Sequence, residues 1–174
     1  MEVLVPDMYL ESIHQLDHSA LKEAGIKAVI FDLDNTLCEW RYGQPNPGLR
    51  AFFKDLTAAG LAAAIVSNSP QNRVDLFAKD LDVPAVGSAG KPGARAFRKA
   101  MSILRVGPDE TGVVGDQLLT DVLGGNRLGL YTVLVVPVSR REFPGTKVTR
   151  MIERLILRWM VRRGLVEGGI LEGR

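Results

Sequence analysis

The sequence predicts an α/β fold: a parallel sheet in the middle layer with helices on both faces. Three observations lead there. Short apolar runs rich in branched residues recur along the 174 residues. Segments of helical period separate them, and acids or small polar residues stand directly after several of the runs. Runs without polar alternation suit strands buried on both faces, and strand–helix alternation implies right-handed crossovers between parallel strands.

Taken in order, a lead over residues 1–25 precedes the first strand, "IKAVIF" (26–31). In "PGLRAFFKDLTAAG" (47–60), Leu49, Phe52, Phe53 and Leu56 share one helical face and Gly60 supplies the stop. "LAAAIVSN" (61–68) is the second strand, and "QNRVDLFAKDL" (71–81) a helix carried by Val74, Phe77, Ala78 and Leu81. "VPAVG" (83–87) is a brief third strand. "PGARAFRKAMSIL" (92–104) is a helix with Pro92 in its first turn, where a missing N–H is harmless. "TGVVGD" (111–116), a helix through about 128 and "LYTVLVV" (130–136) complete a core over about 26–136. The whole chain reads as one domain.

The totals exclude several classes. With 46% hydrophobic and 24% charged residues the chain is of globular type, and a net charge of +2 predicts no nucleic-acid partner. The single cysteine, Cys38, forms no internal disulfide and suggests a reducing, cytoplasmic location. "MEVLVPD" has no signal-peptide character, and no apolar run approaches the roughly 18–20 residues that span a bilayer.

In an open parallel sheet, ligands bind beyond the carboxyl ends of the strands. Three polar clusters meet there: "DLDNT" (32–36), "SNS" (67–69) and "GDQ" (115–117). Adjacent carboxylates repel each other unless a cation or a shared proton relieves them. Asp32, Asp34 and Asp116 supply hard oxygens without histidine or cysteine, a donor set that fits Mg²⁺ rather than zinc. A carboxylate beside such an ion can attack phosphorus. Lys91, Thr36, Ser67 and backbone N–H groups are candidates to hold the phosphoryl oxygens.

"DLDNT", "SNS", Lys91 and "GDQLLTD" (115–121) resemble the four ordered motifs of the haloacid dehalogenase (HAD) superfamily phosphatases. "PDMYLESI", "GIKAVIFDLDNTL" and "PGTK" further resemble the YqeG-type group of subclass IIIA, related to mitochondrial phosphatidylglycerophosphatase. The resemblance implies a Rossmann-like three-layer sandwich with strand order 5-4-1-2-3. It implies that Asp32 is nucleophile and metal ligand. Asp34 is acid and base and lends the metal its carbonyl, and Thr36 steadies the loop. Ser67, Asn68 and Lys91 hold the phosphate, Asp116 binds Mg²⁺, and Asp121 assists through water or orients Lys91. It also implies a phosphomonoester substrate, with phosphatidylglycerophosphate suggested by the closest group. Soluble sugar or nucleotide phosphates, and a non-enzymatic phosphate-binding scaffold, stay open as alternatives.

Bland readings stand beside these. "DNT" alone could be a turn or helix cap, and Ser67–Asn68 an N-cap before "PQNRV". His14 and His18 have the spacing of a helical metal pair, yet Asp17 reads as a cap that splits them, with Ser12 and Gln15 as a capping box. Cys38 reads as packing. The intervals between motifs are too short for an inserted cap, so the site is expected to be open. Only "CEWRYGQPNPG" (38–48) is left as a flap, with Trp40, Arg41 and Tyr42 able to touch a headgroup.

In "KVTRMIERLILRWMVRRG" (147–164), Val148, Met151, Ile152, Leu155, Ile156, Trp159 and Met160 form one stripe beside Arg150, Arg154, Arg158 and Arg162. The first expectation for this basic amphipathic helix, about 147–163, is that the stripe docks on the sheet with its arginines in water. Peripheral contact with an anionic membrane at its inner face, or a dimer interface, is the alternative. "GLVEGGILEGR" (164–174) reads as frayed.

Overall fold

The computed structural model describes residues 2–40, 44–139 and 146–171. Six parallel strands form one sheet, and helices cover both faces. The strands are β1 (Met8–Leu10), β2 (Ala28–Phe31), β3 (Ala62–Val66), β4 (Ala85–Val86), β5 (Thr111–Gly115) and β6 (Tyr131–Val135). The helices are α1 (His18–Glu23), α2 (Pro47–Ala58), α3 (Gln71–Lys79), α4 (Ala94–Leu104), α5 (Leu123–Asn126) and α6 (Thr146–Arg162). The order in the sheet is β1-β6-β5-β2-β3-β4. Without β1 this is the expected 5-4-1-2-3. Among the described residues no domain interrupts the intervals that follow β2 and β3.

The lead differs from its expectation. Residues Met8–Leu10 pair in parallel with Val133–Val135 as an edge strand. Asp7 fastens this strand: its Oδ2 accepts from the Thr132 N–H at 2.7 Å. Three residues are too few for a periodicity to be read.

Alternation along each strand sorts the core into two faces. Val29, Phe31, Ile65, Val114, Val133 and Val135 meet α2 and α3 through Leu49, Phe52, Phe53, Leu56, Val74 and Phe77. On the other face Ile30, Ala64, Val66 and Val113 meet α4 through Ala96, Phe97, Ala100 and Met101. Asn46 starts α2, its Oδ1 accepting from the Leu49 N–H at 2.8 Å. Asp17 caps α1 through Ser19 and Ala20, and this cap does split the two histidines. Both histidine rings pack edge-on against Phe52, at 5.6 and 5.7 Å. The Ser12–Gln15 box is not closed as expected: Gln15 accepts from Glu11 rather than from Ser12.

The expected helix after Asp116 starts as a π-helical turn, Leu118–Val122, and only then becomes α5. The larger correction concerns α6. The expected docking holds only in part. Met160 is buried in an apolar cluster, Ile156 and Trp159 pack on the same cluster, and Arg154, Arg158 and Arg162 are exposed. However, Arg150, Glu153 and Leu157 also face inward, and Met151, Ile152 and Leu155 of the apolar stripe are exposed. Leu157 and Met160 pack with Leu118, Val122, Leu134 and Ile170. The residues after α6 are therefore not all frayed, since Ile170 is buried in that cluster. Arg41, Tyr42 and the start of "PGTK" lie outside the described residues.

Candidate active site

The rim is set by register. Phe31 stands opposite Ile65 on one side and Val114 on the other, so β2, β3 and β5 end at one level. Asp32 keeps its ladder bond to the Val114 carbonyl at 2.9 Å while its side chain leaves the sheet. A tight turn follows, in which Asn35 sits at φ +63° and its N–H bonds the Cys38 carbonyl at 2.7 Å. Asn is among the few residues that tolerate that conformation.

Lys91 is the hub. Its side chain is 3% exposed, and Nζ lies 2.5 Å from Asp32 Oδ1 and 2.6 Å from Asp121 Oδ1. Asn68 holds the lysine's backbone, Oδ1 accepting from the Lys91 N–H at 2.8 Å. Neither Ser67 nor Asn68 caps α3, whose N-cap is Pro70 without a side-chain bond; Ser67 Oγ accepts from the Ser69 N–H at 3.1 Å instead. Asp116 is fully buried and accepts from Thr36 Oγ1 at 3.2 Å.

Carboxylate oxygens of Asp32, Asp116 and Asp121 lie within 4.8 Å of one another, close enough to hold one metal ion. These are hard oxygen donors, so the set fits a divalent ion of the Mg²⁺ type. Asp121, expected in a supporting role, enters this cluster. The Asp34 side chain does not. Its Oδ1 and Oδ2 accept from Arg73 at 2.7 and 2.8 Å, and Ser69 Oγ donates to Oδ2 at 2.6 Å.

The electrostatics follow from crowding. Burial pushes the Asp32 carboxyl up to about 8; Lys91 opposes this, while Asp121 and Asp116 add to it. Burial alone would lower the Lys91 ammonium, but Asp121 and Asp32 outweigh it and hold the group above its ordinary value. The cluster therefore favours the arrival of positive charge.

A cavity of about 670 Å³ opens over this rim, walled by Asp32, Asp34, Trp40, Ser67, Asn68, Arg73, Lys91, Gln117 and Thr120. Asp116 and Thr36 are not in its wall. Thr36 thus steadies Asp116 rather than facing the cavity.

The sequence assigns no site role of their own to Ser69 and Arg73, which grip Asp34, or to Arg150 and Glu153, which reach the Asp116 loop from α6. Arg73 carried a faint signal. It is a cation in the first turn of α3, where the helix dipole disfavours one. Arg150 and Glu153 carried none beyond an i, i+3 spacing.

Two family patterns match the chain: the one described as Mitochondrial PGP phosphatase over residues 1–83, and a HAD-hydrolase-like pattern over residues 88–137. "Probable phosphatase YqeG" of Bacillus subtilis is 40% identical, over 94% of this chain and 95% of that protein. "Phosphatidylglycerophosphate phosphatase 1, chloroplastic/mitochondrial" of Arabidopsis thaliana is 28% identical over 94% of this chain, which spans about half of that longer protein (50%). Among solved structures, the cobalt-bound deoxy-D-mannose-octulosonate 8-phosphate phosphatase of Haemophilus influenzae shares the fold. Its TM-score is 0.54 at 16% identity, over 85% of this chain and 96% of that one.

Proposed function

The chain belongs to the YqeG-type phosphatases of the HAD superfamily, and from that premise we propose a divalent-metal-dependent phosphomonoesterase that works through a phosphorylated Asp32. The observation that carries this reading is the buried contact of Lys91 with Asp32 and Asp121, with Asp116 close enough to share an ion.

Asp32, Asp116 and Asp121 would hold the ion by their carboxylates, with the carbonyl of Asp34 as a further donor. When bound, Mg²⁺ would offset charge on the phosphoryl oxygens. The Asp32 carboxylate attacks phosphorus, the bond from phosphorus to the ester oxygen breaks, and Asp34, in its protonated form and released from its pair with Arg73, gives its proton to the leaving oxygen. Water then attacks the phospho-aspartate, Asp34 takes its proton, and phosphate leaves with the Asp32 carboxylate restored. Arg73 and Ser69 keep the Asp34 carboxyl at the cavity wall. Ser67, Asn68 and Lys91 line the same cavity and would receive the equatorial oxygens. Asp32→Asn should abolish phosphate release from an aryl phosphate without loss of folding, and so should chelation of divalent ions. Full turnover in either case would refute the mechanism.

We infer phosphatidylglycerophosphate as the substrate. The names of the relatives suggest it, and two features support it. The cavity is open, with no inserted cap above it among the described residues. The outer side of α6 exposes Met151, Ile152 and Leu155 beside exposed Arg154 and Arg158. Each arginine near an anionic surface contributes about 1 kcal/mol, so this face suits peripheral contact with anionic lipid. No described helix is long and apolar enough to cross a membrane. Turnover of the lipid in vesicles should exceed that of soluble sugar and nucleotide monophosphates. The reverse ranking, with no retention of protein on anionic vesicles at low salt, would remove the lipid assignment and leave the phosphatase.

A further inference from the structure

The inner face of α6 holds two charged residues where a docked helix would ordinarily place apolar ones. Arg150 is 9% exposed and Glu153 1%. Ions are costly to bury unless their partners are well arranged, so what they grip is informative. Arg150 Nη1 donates to the main-chain carbonyl of Asp116 at 2.5 Å, and Nη2 pairs with Asp116 Oδ2. Glu153 Oε2 lies 3.2 Å from Arg150 Nη1, and Glu153 Oε1 accepts from the Leu119 N–H at 2.9 Å. The pair thus takes hold of the β5 end at residue 116, by backbone and side chain, and again three residues later. Thr36 holds the other carboxylate oxygen.

A carboxylate held at both oxygens, with its own carbonyl pinned by the same guanidinium, has lost its freedom to rotate. The planar fork of arginine is suited to this, because one group reaches two acceptors in a fixed geometry. Groups that orient a metal-binding side chain from outside commonly decide how well it binds.

We propose that Arg150, oriented by Glu153, is a positioning residue for Asp116, so that the C-terminal helix completes the divalent-ion site. The inference rests on the metal reading above. It predicts that α6, outside the four motifs, controls metal affinity more than turnover at saturating metal.

The test compares wild type, Arg150→Met, Arg150→Lys, Glu153→Gln and Asp116→Asn in the full chain. Mg²⁺ binding is read by calorimetry and by the rise in Tm on adding MgCl₂. Half-saturating Mg²⁺ and kcat are measured alongside on an aryl phosphate. Arg150→Met should weaken Mg²⁺ binding by about 10-fold or more, Glu153→Gln should weaken it less, and Arg150→Lys should recover part of the loss, with kcat at saturating Mg²⁺ changed least. A folded Arg150→Met protein that binds Mg²⁺ as well as wild type, or more tightly, overturns the proposal; tighter binding would mark Arg150 as a competitor of the ion. Should Arg150→Met not fold, Glu153→Gln decides, and unchanged affinity there overturns the proposal equally. If Asp116→Asn loses Mg²⁺ binding and the Arg150 variants do not, only the positioning role falls. If Asp116→Asn binds as wild type does, the metal reading of Asp116 fails and the positioning role fails with it.

Discussion

Two glycines of β5 should respond differently to alanine, although they are three residues apart in one strand. A Cβ built at Gly115 would lie 2.3 Å from Cγ and Oδ2 of Asp121 and 2.5 Å from its Cβ. Ordinary contact starts at 3.4 Å, so the Asp121 side chain must retreat by about 1 Å. Its Oδ1 sits 2.6 Å from Lys91 Nζ. A shift of that size is enough to carry a hydrogen-bonded pair out of range. The methyl group therefore cannot fit without displacing Asp121, a partner of Lys91. Overpacking of this kind costs about 1–3 kcal/mol, and each kcal/mol lowers Tm by about 2–4 °C in a chain of this size. Gly115→Ala should thus melt about 2–12 °C below wild type and release phosphate more slowly. Gly112 is the internal control, because the nearest atoms to its Cβ would be those of Ile26, Tyr131 and Ala28 at 3.7–3.9 Å, ordinary contact distances. Gly in a strand interior costs roughly 0.5–1 kcal/mol relative to Ala, so Gly112→Ala should be neutral or raise Tm slightly. Thermal unfolding by circular dichroism with a phosphate-release assay measures both. A Gly115→Ala protein within about 1 °C of wild type and fully active would refute the claim that Asp121 is packed against Gly115.

Two further outcomes follow from burial. Burial first, and then the Asp34 carboxylate, push the Cys38 thiol up to about 12. A raised value means less thiolate at any given pH, so at pH 8 alkylation by iodoacetamide should be at least about 100-fold slower in the native than in the urea-unfolded protein; equal rates would show the thiol to be accessible. Leu157 is fully buried between α6 and the π-helical turn. Leu157→Ala should cost about 2–5 kcal/mol and raise the half-saturating Mg²⁺ with it; a normal metal requirement in a measurably destabilised protein would separate α6 docking from the metal site.

What sequence could and could not show divides along physical lines. The strands β2, β3, β5 and β6 are runs buried on both faces, so composition alone marked them. Asp32, Lys91 and Asp116 follow from motif order, and all three come together at the strand ends. The edge strand β1 was missed because three residues carry no period. Asp34 is a different case. Its place after β2 is readable, whereas its partner Arg73 lies 39 residues away and meets it only through the crossover that brings α3 over the rim. Asp121 is legible only through the motif: an acid early in a helix has an ordinary explanation in the helix dipole, and its contact with Lys91 is what raises it above that.

The rotation of α6 is the most instructive difference. Helical periodicity reports which face is apolar, and the inference that this face is buried assumes that the apolar stripe is what the neighbouring surface wants. Here the neighbouring surface is the end of β5 and the turn after it, where a carbonyl, a carboxylate and the Leu119 N–H need partners. Those groups are better served by a guanidinium and a carboxylate than by methyl groups, because buried polar atoms without partners are costly. Leu157 and Met160 supply the apolar part of the contact one and two turns further on. The helix therefore docks by its charged side near the site and by its apolar side away from it. Met151, Ile152 and Leu155 are left facing outward, while Ile156, Trp159 and Met160 of the same stripe pack on the core, so only part of the stripe that periodicity singles out is left exposed. The same rotation that gives Asp116 its grip also gives the protein an apolar, arginine-flanked outer face. A substitution on the inner face should accordingly be read in metal affinity, and one on the outer face in retention on anionic vesicles.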